Sequence, residues 1–256
     1  MEKEFLLSHN TLTVPCKLSV PDYGQISRVV LGVHGFGGST EDAIQVGIAE
    51  EMALFSSVVI RFDLPAHGNS TLSDFSLKNC VASLLAVAEY AKHNFPHVED
   101  LCIFATGFGA YVTLTALQDL LKLPGSVRLV VQTPSVMMHE TLLKMAQVSR
   151  ETFRAIDKVT IRASRPFDVT YRFLKELEEN IVMTTFPIPM LILHGEQDDY
   201  IRMEHIQQFH VMNEDSKLVI IPGASHQFKE SGAWDMVLDL TRDWFEFQQV
   251  LLSDWS

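Results

Sequence analysis

Short, unbroken apolar runs rich in branched residues recur along the chain, and between them the apolar positions fall into helical spacing. The runs predict strands at Leu12–Val20, Arg28–Val33, Ser57–Phe62, Leu101–Phe104, Arg128–Val131, Met190–Leu193 and Leu218–Ile221. Most are continuous and not alternating, the pattern of strands covered on both faces of a parallel sheet. The helical stretches are Thr40–Phe55, Leu77–Asn94, Ala110–Leu121, Met203–Met212 and Trp234–Leu252. Ser39 or Thr40 is placed to cap the first, with Glu41 and Asp42 near the positive end of its dipole. Strand and helix alternate, which predicts the α/β class with a mostly parallel central sheet and flanking helices.

One stretch departs from the alternation. Residues 136–187 hold two helical segments, Met138–Ala155 and Val169–Asn180, with Arg165-Pro166-Phe167 between them and no strand pattern. This predicts a small helical insertion over one end of the sheet, dividing a core made of 1–135 and 188–256. The middle of the insertion is basic: Lys144, Arg150, Arg154, Lys158, Arg162, Arg165, Arg172 and Lys175 against Glu151, Asp157 and Asp168. Such an excess either docks the insertion on an acidic body or attracts an anionic substrate. Its apolar residues, Met137, Met138, Leu142, Leu143, Met145 and Phe153, serve as packing or as the roof of a pocket.

Composition narrows the class. A chain of 256 residues suffices for one large α/β domain or two small ones. With 47% apolar and 20% charged residues it is not a disordered chain. A net charge of −12 argues against a nucleic-acid partner, since phosphate binding needs a basic surface. Cys16, Cys80 and Cys102 form no spaced framework, and the last two read as buried free thiols suited to a reducing compartment. Met1-Glu2-Lys3-Glu4 carries acids and lacks the basic start and apolar region of a leader. No apolar run reaches the roughly 18 residues of a membrane span. The expectation is a soluble cytoplasmic protein whose partner is a small molecule.

The candidate chemistry sits in four turns, each after an expected strand. His34-Gly35-Phe36-Gly37-Gly38 follows Arg28–Val33, and a glycine-rich turn there lets backbone N–H groups point into a site and hold an oxyanion. Ala105-Thr106-Gly107-Phe108-Gly109 joins a strand to a helix, the setting of the nucleophile elbow G-x-S-x-G, but its central residue is Gly107. His194-Gly195-Glu196-Gln197-Asp198 places an acid at a strand end, with Asp199 as the alternative. Gly223-Ala224-Ser225-His226 supplies a base. Elbow, acid, then histidine is the chain order of α/β-hydrolases. Thr106 is one residue off the elbow position, so its hydroxyl points elsewhere, and Ser225 lacks an elbow. His34, His67 and His194 lie in three separate turns without ligand spacing, so no metal or cofactor is expected.

With these turns the chain resembles the α/β-hydrolase superfamily over nearly its whole length, in particular small-lid cytoplasmic carboxylesterases and monoacylglycerol-lipase-like serine hydrolases. Asp63-Leu64-Pro65-Ala66-His67-Gly68-Asn69-Ser70 resembles their D-x-P-G-H-G-x-S turn. The resemblance implies the α/β-hydrolase fold and a Ser-Asp-His site. Phe36 and Phe108 would give the oxyanion N–H groups, with Gly35, Gly37, Gly38 and Gly109 as motif glycines. Asp198 would orient His226, and the insertion would act as a lid. Gly107 departs from the pattern, because it stands where the nucleophilic serine belongs. Three functions follow: an ester hydrolase inactive or nearly so for want of that serine, a non-catalytic module binding an apolar ligand, or a His–Asp general base acting without a covalent intermediate.

Overall fold

The computed structural model describes residues 1–22, 24–72, 74–162 and 166–247. In chain order the strands are β1 (Glu2–His9), β2 (Leu12–Ser19), β3 (Arg28–Val33), β4 (Ser57–Phe62), β5 (Asp100–Thr106), β6 (Ser126–Gln132), β7 (Lys158–Ile161), β8 (Phe167–Thr170), β9 (Met190–Gly195) and β10 (Lys217–Ile221). The helices are α1 (Ala43–Leu54), α2 (Leu77–Asn94), α3 (Gly107–Leu120), α4 (Met138–Ala146), α5 (Arg150–Ile156), α6 (Tyr171–Glu179), α7 (Met203–Met212) and α8 (Ala233–Phe247). Eight strands form one sheet in the order β1-β2-β4-β3-β5-β6-β9-β10. β1, β2 and β4 pair antiparallel, and every pair from β4 to β10 is parallel.

The continuous apolar runs divide between two cores because successive side chains of a strand point to opposite faces. Val29, Leu31 and Val33 join α2 and α3 through Leu84, Val87, Tyr111 and Leu114 on one face. Val30, Val59, Phe104 and Leu193 join α1 and α8 through Ile48, Met52, Val237 and Trp244 on the other. All three cysteines are buried and free. No helix among the described residues is long and apolar enough to cross a membrane.

Several expectations are corrected. β1 lies outside the strands that the apolar runs predict; its inward residues Phe5 and Leu7 alternate with exposed Glu4, Leu6 and Ser8, and it folds back on β2 through Asn10, at φ 52°. α1 begins at Ala43 with Asp42 at the N-cap, so neither Ser39 nor Thr40 caps it. Ser39 instead accepts a hydrogen bond from the Glu41 N–H at 3.1 Å, and its own N–H donates to Asp42 Oδ1 at 3.1 Å, closing the preceding turn. α8 is described to Phe247, and the expected continuation to Leu252 lies outside the described residues.

The segment between β6 and β9 is mixed, not all-helical. The expected helix Met138–Ala155 is broken at Gln147, which is left-handed at φ 54°, and restarts with the Ser149 hydroxyl accepting from the Thr152 N–H at 3.1 Å. β7 and β8 then form an antiparallel hairpin in which Val159, Ile161, Phe167 and Val169 face inward. That period of two overrides helical spacing, so α6 starts at Tyr171 with Thr170 as its cap, not at Val169. Four of the basic residues pair inside the segment, while Lys144 donates to the Asp199 carbonyl outside it. Arg150 pairs with Glu178, Lys158 with Asp168, Arg172 with Glu176 and Lys175 with Glu179, all within the segment. Arg165 lies outside the described residues.

Two glycines mark opposite constraints. A Cβ on Gly109 would meet the Val33 and His34 carbonyl oxygens at 2.4 Å, backbone that cannot yield. A Cβ on Gly47, inside α1, would meet only the Leu238 side chain at 3.6 Å. Gly109→Ala is therefore expected to lose about 1–3 kcal/mol or more through overpacking. Gly47→Ala is expected to gain about 0.5–1 kcal/mol from helix propensity. Urea unfolding of the two variants checks both signs.

Candidate functional site

The parallel strands release their loops at their carboxyl ends, and all four expected turns lie at that end: the elbow packs on the His34–Gly38 turn, and the Asp198 turn meets the His226 turn. The first is set by His34. The buried Leu64 N–H donates to His34 Nε2 at 3.0 Å, so the proton sits on Nδ1, which donates to the Gly35 carbonyl at 2.8 Å. The Gly38 N–H reaches the same carbonyl at 3.1 Å. With its carbonyl turned to these donors, the trans peptide points the Phe36 N–H the opposite way. Gly37 takes φ 76°, and a Cβ on Gly38 would strike Asp42 Oδ2 at 2.1 Å.

The second turn is the elbow. Gly107 opens α3 with φ 49°, a left-handed conformation that costs a non-glycine residue about 1–3 kcal/mol. A Cβ built there would lie 3.9 Å from Gly35 Cα and 3.9 Å from Ser135 Oγ, ordinary contact distances. The position is strained for a side chain yet has room for one. Phe108 follows in the first turn of α3, where helix N–H groups have no intrahelical acceptor.

The structure brings Asp198 and His226 together. His226 Nδ1 lies 2.8 Å from Asp198 Oδ2, and Asp198 Oδ1 accepts the Tyr200 and Ile201 N–H groups at 2.8 and 2.9 Å. The Asp198 side chain is fully buried, whereas that of His226 is 27% exposed. Burial pushes the Asp198 carboxyl up, but His226 and the two backbone donors together outweigh it and hold it below its ordinary value. The carboxylate fixes the proton on His226 Nδ1 and leaves Nε2 as the free base. Asp199 is exposed and contributes only its carbonyl, which takes Lys144 Nζ. His194 is buried with Nδ1 3.9 Å from Asp198 Oδ2, and its burial lowers its basicity.

Asp63 supports the site from behind. Its carboxylate accepts the Thr40 and Asn69 N–H groups, each at 2.8 Å, tying the first turn to the Asp63–Ser70 turn. Ala66 sits at φ 61° where the resembled pattern has glycine.

Some contributors carried no sequence motif. The Phe36 ring packs on Phe75, Phe108 and Phe167 with centroids 5.7, 5.1 and 5.0 Å away, and on Phe173 at 6.4 Å. Phe167 and Phe173 come from β8 and α6, so the segment between β6 and β9 rests on the His34–Gly38 turn. Of the residues expected to be packing or pocket roof, Met138, Leu142 and Phe153 are buried core; Met137, Leu143 and Met145 pack partly buried against it. Among the described residues no three His, Cys, Asp or Glu side chains gather as a metal site.

Comparisons with known proteins bear on the family and the fold. A family model described as an alpha/beta hydrolase of unknown function (DUF900) matches residues 22–171. The chain is similar to Est1E from Butyrivibrio proteoclasticus, solved with ferulic acid bound, at a TM-score of 0.82 and 19% identity over 95% of this chain and 98% of that one. It is similar to the mouse alpha/beta hydrolase domain-containing protein 10 at a TM-score of 0.77 and 15% identity, covering 96% and 100%. A lid-less serine hydrolase from Xanthomonas campestris follows at a TM-score of 0.66 and 19% identity, covering 95% and 94%. At these identities the likeness shows the fold. No curated protein matches the chain.

Burial depresses the His34 imidazole from 6.5 to about 4, against a smaller opposing effect of its bond to Gly35. Between those values the unfolded chain takes up a proton that the folded chain refuses. His34 therefore withdraws stability as pH falls through this window, on the order of 3 kcal/mol in full. His34→Gln does not titrate there. The stability gap between the native chain and this variant, from urea unfolding, is expected to be widest near pH 7 and to narrow toward pH 4.

Proposed function

The chain belongs to this α/β-hydrolase family, and we propose that its site is that of a carboxylic ester hydrolase with glycine in the nucleophile position. The observation that carries the reading is the Asp198–His226 pair at 2.8 Å, at the same carboxyl end of the parallel strands as an elbow whose φ of 49° has room for a side chain. An apolar binding turn needs neither a buried carboxylate aimed at an imidazole nor a left-handed strand-to-helix junction. In this reading the substrate carbonyl oxygen sits between the Phe36 and Phe108 N–H groups. His226 Nε2 takes a proton during attack, and Asp198 stabilises the imidazolium that forms.

Residues 136–187 act as the lid, and the substrate is a small-molecule ester. The rings of Phe36, Phe75, Phe108, Phe167 and Phe173 favour a planar, apolar acyl group; the bound ferulic acid of the Butyrivibrio relative is of that kind. No elbow hydroxyl exists at Gly107. Loss of a triad nucleophile costs about 10⁶ in kcat, with roughly 10³–10⁴ over water surviving from the oxyanion donors and binding. The native chain is accordingly a very slow esterase.

A second reading, a ligand-binding module, draws on Gly107 itself, since glycine relieves the strain that a serine imposes there. Gly107→Ser separates the two. It is expected to raise hydrolysis of short p-nitrophenyl esters by several orders of magnitude, to label with a fluorophosphonate at position 107, and to cost about 1–3 kcal/mol of stability. A variant that folds yet neither labels nor hydrolyses would leave the binding module as the better account.

A further inference from the structure

We propose that Ser135 is the nucleophile this chain uses in place of an elbow serine. The proposal rests on the ester-hydrolase reading and says which hydroxyl its slow reaction runs through. Three observations carry it. First, Ser135 Oγ lies 3.9 Å from the Cβ position of residue 107. An elbow hydroxyl would stand one C–O bond beyond that Cβ, so the Ser135 oxygen lies within a side chain's reach of its place.

Second, the topology puts Ser135 on the base side of the elbow. Gly107 follows β5, Ser135 follows β6, Asp198 follows β9 and His226 follows β10, and these strands are consecutive neighbours in the sheet. The Ser135 loop is stitched to both sides. The Ser135 N–H donates to the Gly107 carbonyl at 3.2 Å, and the Thr133 N–H donates to the Leu193 carbonyl at 2.7 Å. Thr133 is held at φ 42°, an uncommon conformation for a β-branched residue and one that gathers at functional sites.

Third, the hydroxyl is unspent. Ser135 is 3% exposed, yet among the described residues its oxygen makes no hydrogen bond and is not fully sealed from solvent. A buried serine ordinarily bonds a nearby backbone group. This one is held in place by its backbone while its hydroxyl stays available beside an elbow that lacks a serine.

The chemistry balances without a co-reactant other than water. Ser135 Oγ attacks the acyl carbon while its proton passes to His226 Nε2, and the carbonyl electron pair moves onto the oxygen held by the Phe36 and Phe108 N–H groups. Collapse restores the carbonyl and breaks the bond to the alcohol, which leaves with the proton from His226. Water then gives a proton to His226 Nε2 and attacks the Ser135 ester. The acid departs as the proton returns to Ser135 Oγ.

The test uses the full chain, a fluorophosphonate and p-nitrophenyl acetate, with modified residues located by peptide mass spectrometry. The native chain is expected to carry the phosphonate on Ser135. Ser135→Ala is expected to lose that label and to slow hydrolysis about tenfold or more without a large change in melting temperature. His226→Ala is expected to lose the label while Ser135 remains. The double variant Gly107→Ser, Ser135→Ala keeps the parent reading separate. If it labels at 107 and hydrolyses while the native chain shows neither label nor dependence on Ser135, this proposal is overturned and the ester-hydrolase reading stands. If the folded double variant is also silent, both fall together.

Discussion

Loops that converge on one edge of a parallel sheet are partly buried against each other, and their backbone N–H groups must find acceptors there. Here buried side chains supply them. Asp63 takes one N–H from each of two loops, Asp198 takes two from its own turn, and the neutral imidazole of His34 takes one and gives one back. These acceptors fix where the turns stand. The orientation of the Phe36 N–H follows from the Gly35 carbonyl being held, and the direction of the His226 imidazole follows from Asp198 being held. The arrangement of these turns is thus a consequence of how the loops satisfy their polar backbone.

Close backbone approach is the second condition. α3 begins against the end of β3 with no space for a side chain at Gly109, whereas Gly107 two residues earlier has both a left-handed backbone and open room. The helix start is therefore locked in place while the elbow position stays permissive. A serine there would carry strain and a glycine does not.

The segment between β6 and β9 is joined to this edge by aromatic packing, with Phe167 and Phe173 set against Phe36 and Phe75. Its charges are largely paired internally. Lys144 is an exception that reaches out, donating to the Asp199 carbonyl and lying 5.8 Å from the Tyr200 ring beside His226.

Much of this was legible in the chain. Seven sheet strands, the alternation with helices and the four turns follow from local patterns: unbroken branched runs, glycine at strand ends, and acid and histidine in hydrolase order. Local pattern fell short where two signals compete over a few residues, as in Lys158–Ile161 and Phe167–Thr170, whose period of two is brief beside the helical stretches around it, and in β1, where charged residues mask the alternation of Phe5 and Leu7. What the sequence by itself determined is the class of fold and which turns bear polar side chains, because these depend on residues adjacent in the chain. Only the tertiary structure decided that Asp198 and not Asp199 meets His226, that Phe167 and Phe173 pack on Phe36, and that Ser135 stands beside Gly107. Those relations join segments far apart in sequence, and they exist only once the sheet order has set neighbouring loops a strand's width apart.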